Sequence, residues 1–425
     1  MSRYDDELDL TLYDSVRGSR RSSNGKGGKR SGNNKRKRKK RWPRVLLTFI
    51  VFVFATVISL GAVFKYFPGS RKYLLAHCGG PLLRCVLDED TYNNVYDKTF
   101  GKPVVNDGID KSKFKGYYTV ALFGIDSRDK KMDAGVNSDS IVIVSINQDT
   151  GKIVMSSVYR DTWLNIPNND GSSSDRFKKI NSAFCSGGVK AAVNTLNTNL
   201  DLNISDYVTI NFAGLATIID MLGGLDVKIT EEEKYYINYY MKENMAVTDI
   251  ESSYVKESGN VHLDGLQATA FCRIRYCSFT DSNGKKYTDD LGRTARQRYI
   301  MSLMLDKAKQ AGASKILDIA KKIFRSDELI KTSIEYDKMM EMIPLFVNFE
   351  LGETKGFPFT YEFPENYLTN GESAIAVGGL AYNVGKLHSF LYGNEDYKPS
   401  AHVKELDEKL KDMLGTEDIL LPEDR

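Results

Sequence analysis

The sequence predicts an α/β domain preceded by one transmembrane helix. The domain is a central mixed β-sheet covered by helices on both faces, a three-layer α/β/α arrangement. Three observations carry this. Five short, strongly apolar runs of strand type occur between residues 117 and 229. Helical patterns lie between and after them. An uncharged twenty-residue run, VLLTFIVFVFATVISLGAVF at 45–64, precedes them all.

From the N-terminus, residues 1–44 hold 15 Lys/Arg against 5 Asp/Glu. The whole chain carries a formal net charge of only +3, so a basic arm sits on an acidic body. The arm has almost no apolar residues and cannot bury enough surface to offset chain entropy, which predicts a disordered segment. Twenty residues at about 1.5 Å each then give about 30 Å, the thickness of a bilayer's hydrocarbon core. A secretory signal peptide would have a shorter apolar stretch and a small-residue cleavage site. Fourteen basic residues and no acidic ones lie between Arg17 and Arg44. Lys/Arg excess marks the cytoplasmic side, so the N-terminus is expected in the cytoplasm of a single-pass cell-membrane protein, with the domain outside. The basic arm therefore reads as topology control and attraction to anionic membrane lipid rather than nucleic-acid binding, since no recognition motif accompanies the charge.

Residues 65–115 are expected to be an extracytoplasmic connector. In the domain, assigned to 116–393, YYTVALFG (117–124), SIVIVSI (140–146), KIVMSSV (152–158), YVTINF (207–212) and LDVKI (225–229) read as strands. Runs this apolar predict burial on both faces of the sheet. GVKAAVNTLNTNL (188–200) places Val189, Ala192 and Leu196 on one helical face. FAGLATIIDMLGG (212–224) ends on two glycines, a usual helix stop. Leu291–Gln310 reads as a longer amphipathic helix. Residues 394–425 are charged and are expected to form a peripheral helix and tail. Five cysteines, Cys78, Cys85, Cys185, Cys272 and Cys277, are too few for a disulfide scaffold, and no CxxC pair exists. The four histidines show no metal-ligand spacing, which argues against zinc-hydrolase chemistry.

Phosphate-binding glycine loops and a GxSxG elbow are absent. What remains is a set of arginines and aspartates at strand ends, where open α/β folds bind ligands. LFGIDSR places Asp126 and Arg128 past the first strand. NSDSIVIVSIN places Asp139 before the second. SSVYRDTWLNIP places Arg160 and Asp161 past the third. Asn181 lies in KINSAF, Arg273 and Arg275 in CRIRYC, and Asp290, Arg293, Arg296 and Gln297 in DDLGRTARQR. Each alone reads more simply as a salt bridge or turn residue, and RIR as a half-exposed strand. Together, converging arginines and two or three carboxylates suit a polyphosphate with a divalent metal.

These blocks, in this order, resemble the LytR–CpsA–Psr family of Gram-positive cell-wall enzymes over about residues 115–393, including NGESAIAVGGLAYNVGKL. The resemblance implies transfer of a glycopolymer from an undecaprenyl-pyrophosphate carrier to peptidoglycan, at the N-acetylmuramic acid 6-hydroxyl. It also implies an apolar cavity for the lipid tail and assistance by Mg2+, or alternatively Mn2+. Carried over, Asp126 and Asp139 are the metal carboxylates, and Arg160, Arg273, Arg275 and Arg293 clamp the pyrophosphate. Asp290 and Gln297 support the clamp, and Arg128 and Asn181 join Gln297 on the substrate. Two departures stand out: Asn137-Ser138-Asp139 replaces the usual Arg-Ser-Asp, and Cys272 replaces an apolar residue. Two rival readings stay open, a polyprenyl-pyrophosphate pyrophosphatase and a non-enzymatic lipid-carrier binder that regulates the wall.

Overall fold

Three of the apolar runs form a meander at the centre of a six-stranded sheet: β1 (Tyr117–Ile125), β2 (Ser138–Asn147) and β3 (Lys152–Val158). The computed structural model describes residues 103–127, 132, 135–168, 170–324, 329–334, 338–339, 342, 349–363 and 374–414. The basic arm, the 45–64 run, most of the connector and the segment beyond 414 lie outside the described residues. Among the described residues, no helix is long and apolar enough to cross a membrane.

Short β4 (Trp163–Asn165) and β5 (Phe177–Lys179) pair with each other beyond the sheet. β6 (Asp206–Ile210) runs parallel to β1, and β7 (Leu225–Ile229) pairs with β8 (Gly259–Leu263) in a separate ladder. β9 (Phe279–Thr280) and β10 (Lys286–Tyr287) form a small hairpin. β11 (Ile330–Thr332) closes the β6 edge antiparallel, and β12 (Glu350–Phe357) joins β3 in parallel. The sheet order is β11-β6-β1-β2-β3-β12, a mixed sheet as expected. β13 (Tyr361–Glu362) and β14 (Ala376–Val377) form a last ladder.

Successive side chains of a strand point to opposite faces, and both faces here are apolar. Ala121, Phe123, Ile141 and Ile143 pack against α1 (Asn181–Leu200), α6 (Leu380–Tyr392) and α7 (Ala401–Leu414) through Phe184, Leu196, Leu387 and Leu406. Val120, Val142, Val144 and Met155 face the other way, against Met301 and Leu305 of α5 (Asp289–Phe324). A second core gathers α2 (Phe212–Met221), α3 (Glu231–Thr248) and α4 (Gly265–Phe271) around the β7–β8 ladder.

Local chemistry sets the helix ends. Asn211 caps α2 by accepting from the Gly214 N–H, and the chain leaves the helix through Gly223 and Gly224 at φ +87° and +77°. Capping boxes start α3 (Thr230 with Glu233) and α4 (Asp264 with Gln267). The expected start at residue 188 coincides with a kink at Gly187–Gly188 inside α1.

Three expectations need correction. LDVKI is not in the central sheet: Leu225, Val227 and Ile229 are buried while Asp226 and Lys228 are exposed, the alternation of a one-sided strand. RIR is not a strand either. The Arg273 N–H donates to the Ala270 carbonyl and the Ile274 N–H to that of Phe271, a turn that ends α4. The domain limits at 116 and 393 are too narrow. Val403, Leu406 and Leu410 of α7 are buried in the main core; of its charged residues Asp407 is buried with them and accepts from the Leu380 N–H, while the others are exposed or half-buried. At the other margin, Ile109 and Phe114 enter the same core. The buried Asp201 carboxylate ties both margins together, accepting from Asn106 Nδ2 at 2.7 Å and from Ser400 N and Oγ at 2.7 Å each.

Candidate functional site

The meander brings the C-terminal ends of β1 and β3 and the start of β2 to one edge of the sheet. Asp126 directly follows β1 there. Asp139 sits in a β-bulge: Gly124 pairs with Ser140 and Ile125 with Ser138, leaving Asp139 as the extra residue. A bulge re-aims a side chain that regular pleating would place elsewhere.

Arg160 stands in the loop after β3, and that loop is fastened by its backbone. The Tyr159 N–H donates to the Phe357 carbonyl, the Ile375 N–H to that of Asp161, and the Asn181 N–H to that of Arg160 at 3.2 Å. Asn181, first residue of α1, thus supports the arginine through its main chain. Arg160 Nη1 lies 2.6 Å from Asp139 Oδ1, and its Nε lies 3.6 Å from both Asp161 and Asp290. The first turn of α5 delivers Asp290 and Arg293 to the same edge. Arg293 Nη2 lies 2.8 Å from Asp290 Oδ1 and donates to the Asp139 carbonyl at 3.3 Å, while its Nη1 is 3.9 Å from Asp139 Oδ2. Arg275 completes the group, with Nε 3.5 Å from Asp290 Oδ1.

Charge here is closely balanced and partly shielded. Burial lowers the Arg160 guanidinium, but Asp290 and Asp139 outweigh it and hold it above its ordinary value. Burial pushes Arg293 down to about 10 against the pull of Asp290, so it stays cationic at neutral pH. The buried Nε atoms of Arg160 and Arg293 have no hydrogen-bond partner, nor has Gln297 Oε1. Buried polar atoms ordinarily find partners, and here the Arg160 Nε has only the carboxylates of Asp161 and Asp290 at 3.6 Å. Asp126 and Asp139 supply hard carboxylate oxygens, the donors that Mg2+ prefers. Among the described residues no group of three or more His, Cys, Asp or Glu is placed to hold a metal, so phosphate oxygens and water would complete such a shell.

The cluster thus unites Asp139, Arg160, Arg275, Asp290 and Arg293 of the predicted set. Gln297 lies one turn along α5 and donates to the Cys272 carbonyl at 3.4 Å. Arg273 does not join the cluster. It donates to Asn244 Oδ1 and, at 2.8 Å, to Glu243 Oε2, and its guanidinium lies 4.7 Å from the Phe212 ring and 5.0 Å from that of Tyr240. Arg128 lies outside the described residues. Asn137, standing where the family pattern has arginine, is exposed at the margin. Cys272 and Cys277 are buried free thiols pushed up by burial to about 12 and about 11. Two cations escaped the sequence reading. Lys179 Nζ is 3.6 Å from Asp161 Oδ1, and buried Arg298 lies beside the Tyr287 ring. Neither stands in a pattern that separates it from an ordinary surface cation.

The family profile of LytR_cpsA_psr matches residues 89–374. Curated relatives include a polyisoprenyl-teichoic acid–peptidoglycan teichoic acid transferase, TagU, of Bacillus cereus, 27% identical over 264 residues that make up 62% of this chain and 72% of that one. Biofilm regulatory protein A of Streptococcus mutans is 31% identical over 219 residues, 50% of this chain and 49% of its own. The chain therefore spans from about half to under three quarters of the length of these relatives. The crystal structure of protein gbs0355 from Streptococcus agalactiae superposes with a TM-score of 0.52 at 22% identity, over 70% of this chain and 93% of that one, a likeness of fold. By the profile match across most of its length, this protein belongs to the LytR_cpsA_psr family.

Proposed function

We propose that this protein is a membrane-anchored phosphotransferase. It moves a glycopolymer from an undecaprenyl-pyrophosphate carrier onto the N-acetylmuramic acid 6-hydroxyl of peptidoglycan, with Mg2+ or Mn2+. The observation that carries the reading is the partly shielded arginine–aspartate cluster gathered around the buried Arg293 at one end of the sheet. Relatives named as transferases of polyisoprenyl-linked teichoic acid support it.

In the reaction, the sugar hydroxyl oxygen attacks the glycan-side phosphorus. A new O–P bond forms, the bridging P–O bond breaks, and polyprenyl monophosphate leaves with the hydroxyl proton passing to it through solvent. Such a transfer needs positioning and charge stabilisation more than covalent help. Arg160, Arg275 and Arg293 hold the phosphate oxygens, and Asp290 orients Arg275 and Arg293 from between them. Gln297, Arg128 and the Glu243-anchored Arg273 contact the flanks of the substrate. Asp126 and Asp139 would hold the cation, which when bound would neutralise phosphate charge. We place the lipid chain at the margin of α5, where Leu122, Val208, Met301 and Leu305 are apolar and only partly buried.

The test supplies the purified full chain with a polyprenyl-pyrophosphate glycan and Mg2+, with and without peptidoglycan. Polymer should become wall-linked, and lipid monophosphate should appear only when acceptor is present. Equal phosphate release without acceptor would make it a pyrophosphatase, and binding without turnover a carrier-binding regulator. For the anchor at 45–64, protease added to intact protoplasts should digest the domain, and protection would reverse the proposed orientation.

A further inference from the structure

We infer that the tyrosine-bearing face of α3, together with Tyr276, is the docking surface for the glycan strand of the peptidoglycan acceptor. This rests on the transfer reading above. Tyr235, Tyr239 and Tyr276 are 64%, 53% and 68% exposed. Large aromatic rings gathered on a surface mark a contact site. Tyr235 and Tyr239 are four residues apart on the helix, about 6 Å along its axis, and so share a face. Each leans on a less exposed neighbour, Tyr236 at 5.2 Å and Tyr240 at 5.3 Å between ring centroids. Tyr276 extends the strip, its ring 5.8 Å from that of Tyr236.

The strip meets the phosphate cluster at one end, where Tyr276 directly follows Arg275, whose Nε lies 3.5 Å from Asp290. Tyr240 lies 5.0 Å from the guanidinium of Arg273, which Glu243 holds apart from that cluster. A glycan strand laid along these rings would bring a sugar hydroxyl towards the arginines. The charge of the strip narrows its occupant. Residues 231–258 carry seven carboxylates against three lysines, but Glu231, Glu233 and Glu243 are paired with Lys234, Arg296 and Arg273, so the region is close to neutral. A teichoic-acid chain or an anionic bilayer finds no basic patch here of the kind that binds membrane surfaces. An amino-sugar backbone whose lactyl carboxyls are taken up in amide bonds needs none. Its pyranose faces offer apolar C–H groups to the rings, and its hydroxyls meet the tyrosine hydroxyls.

The experiment uses the full chain in detergent and a soluble oligosaccharide of alternating N-acetylglucosamine and N-acetylmuramic acid, freed of peptide and wall polymer and with its lactyl carboxyls capped as methylamides. Calorimetry should show the Tyr235→Ala/Tyr239→Ala/Tyr276→Ala variant binding it at least about tenfold more weakly. Affinity for polyprenyl pyrophosphate and the melting temperature should be unchanged, and the three phenylalanine replacements should retain most binding. Unchanged oligosaccharide affinity in the alanine variant overturns the inference. So does a variant whose loss is confined to binding of anionic vesicles or to self-association. If wild type binds the carrier lipid but not the oligosaccharide, the docking surface falls alone. If it binds the oligosaccharide through the tyrosines but no carrier lipid, the transfer reading falls and the surface stands.

Discussion

Replacing Arg160 with alanine should lower glycopolymer transfer by about 10²–10³-fold while the domain stays folded. Arg160 is the one side chain that reaches all three carboxylates of the cluster, Asp139, Asp161 and Asp290. Its Nε makes no hydrogen bond, with Asp161 and Asp290 only as near as 3.6 Å, so a phosphate oxygen can engage it. The side chain is 20% exposed, so its ion pairs are partly screened and their loss should cost little stability. In the transition state, charge gathers on the phosphate oxygens and the departing lipid phosphate, and there the same donor counts most. Lysine at this position should rescue poorly, because it supplies charge without the planar fork. A purely structural salt bridge predicts the opposite pattern: a lower melting temperature with specific activity near wild type. Melting temperature and transfer rate, measured on the same purified Arg160→Ala and Arg160→Lys proteins, separate the two.

The parts of the fold legible in the sequence are those where burial is nearly complete. β1, β2 and β3 bury both faces, so their composition alone marks them. β12 is not legible, because ELGETKGF lies partly exposed at the sheet edge and reads as polar chain. Helix α7 reads as peripheral because charge dominates its composition, although Val403, Leu406 and Leu410 make one apolar stripe into the core. In the site, strand ends predict where Asp139 and Arg160 meet, since antiparallel pairing sets the start of β2 beside the end of β3. Arg273 is different. The sequence carries no sign that Glu243, thirty residues earlier, would hold it away from Asp290. The bulge that exposes Asp139 is equally silent, being a matter of pairing register rather than composition.

Arg296 is the sharpest case, because it follows Asp290 and Arg293 on α5 yet belongs to the core: those two line the cluster, whereas Arg296 is fully buried. Its Nε and Nη2 donate to Glu233 Oε1 at 3.1 and 2.9 Å, and Nη2 also reaches the carbonyls of Cys277 and Ser278. The rings of Phe271 and Phe279 lie 5.5 and 5.2 Å from the guanidinium. Glu233 in turn accepts from the Thr230 N–H in the capping box of α3. Arg296→Ala would strand a buried carboxylate, and breaking such a pair costs about 3–5 kcal/mol. Urea unfolding of Arg296→Ala should show a loss of that size, with transfer falling in step with the folded fraction. Replacing both partners, as Glu233→Gln with Arg296→Met, should recover much of it, because a matched apolar or neutral pair removes the unpaired charge and glutamine can still close the capping box. If Arg296→Ala keeps near wild-type stability and loses transfer instead, Arg296 acts on the substrate and the assignment of this ion pair to the core is wrong.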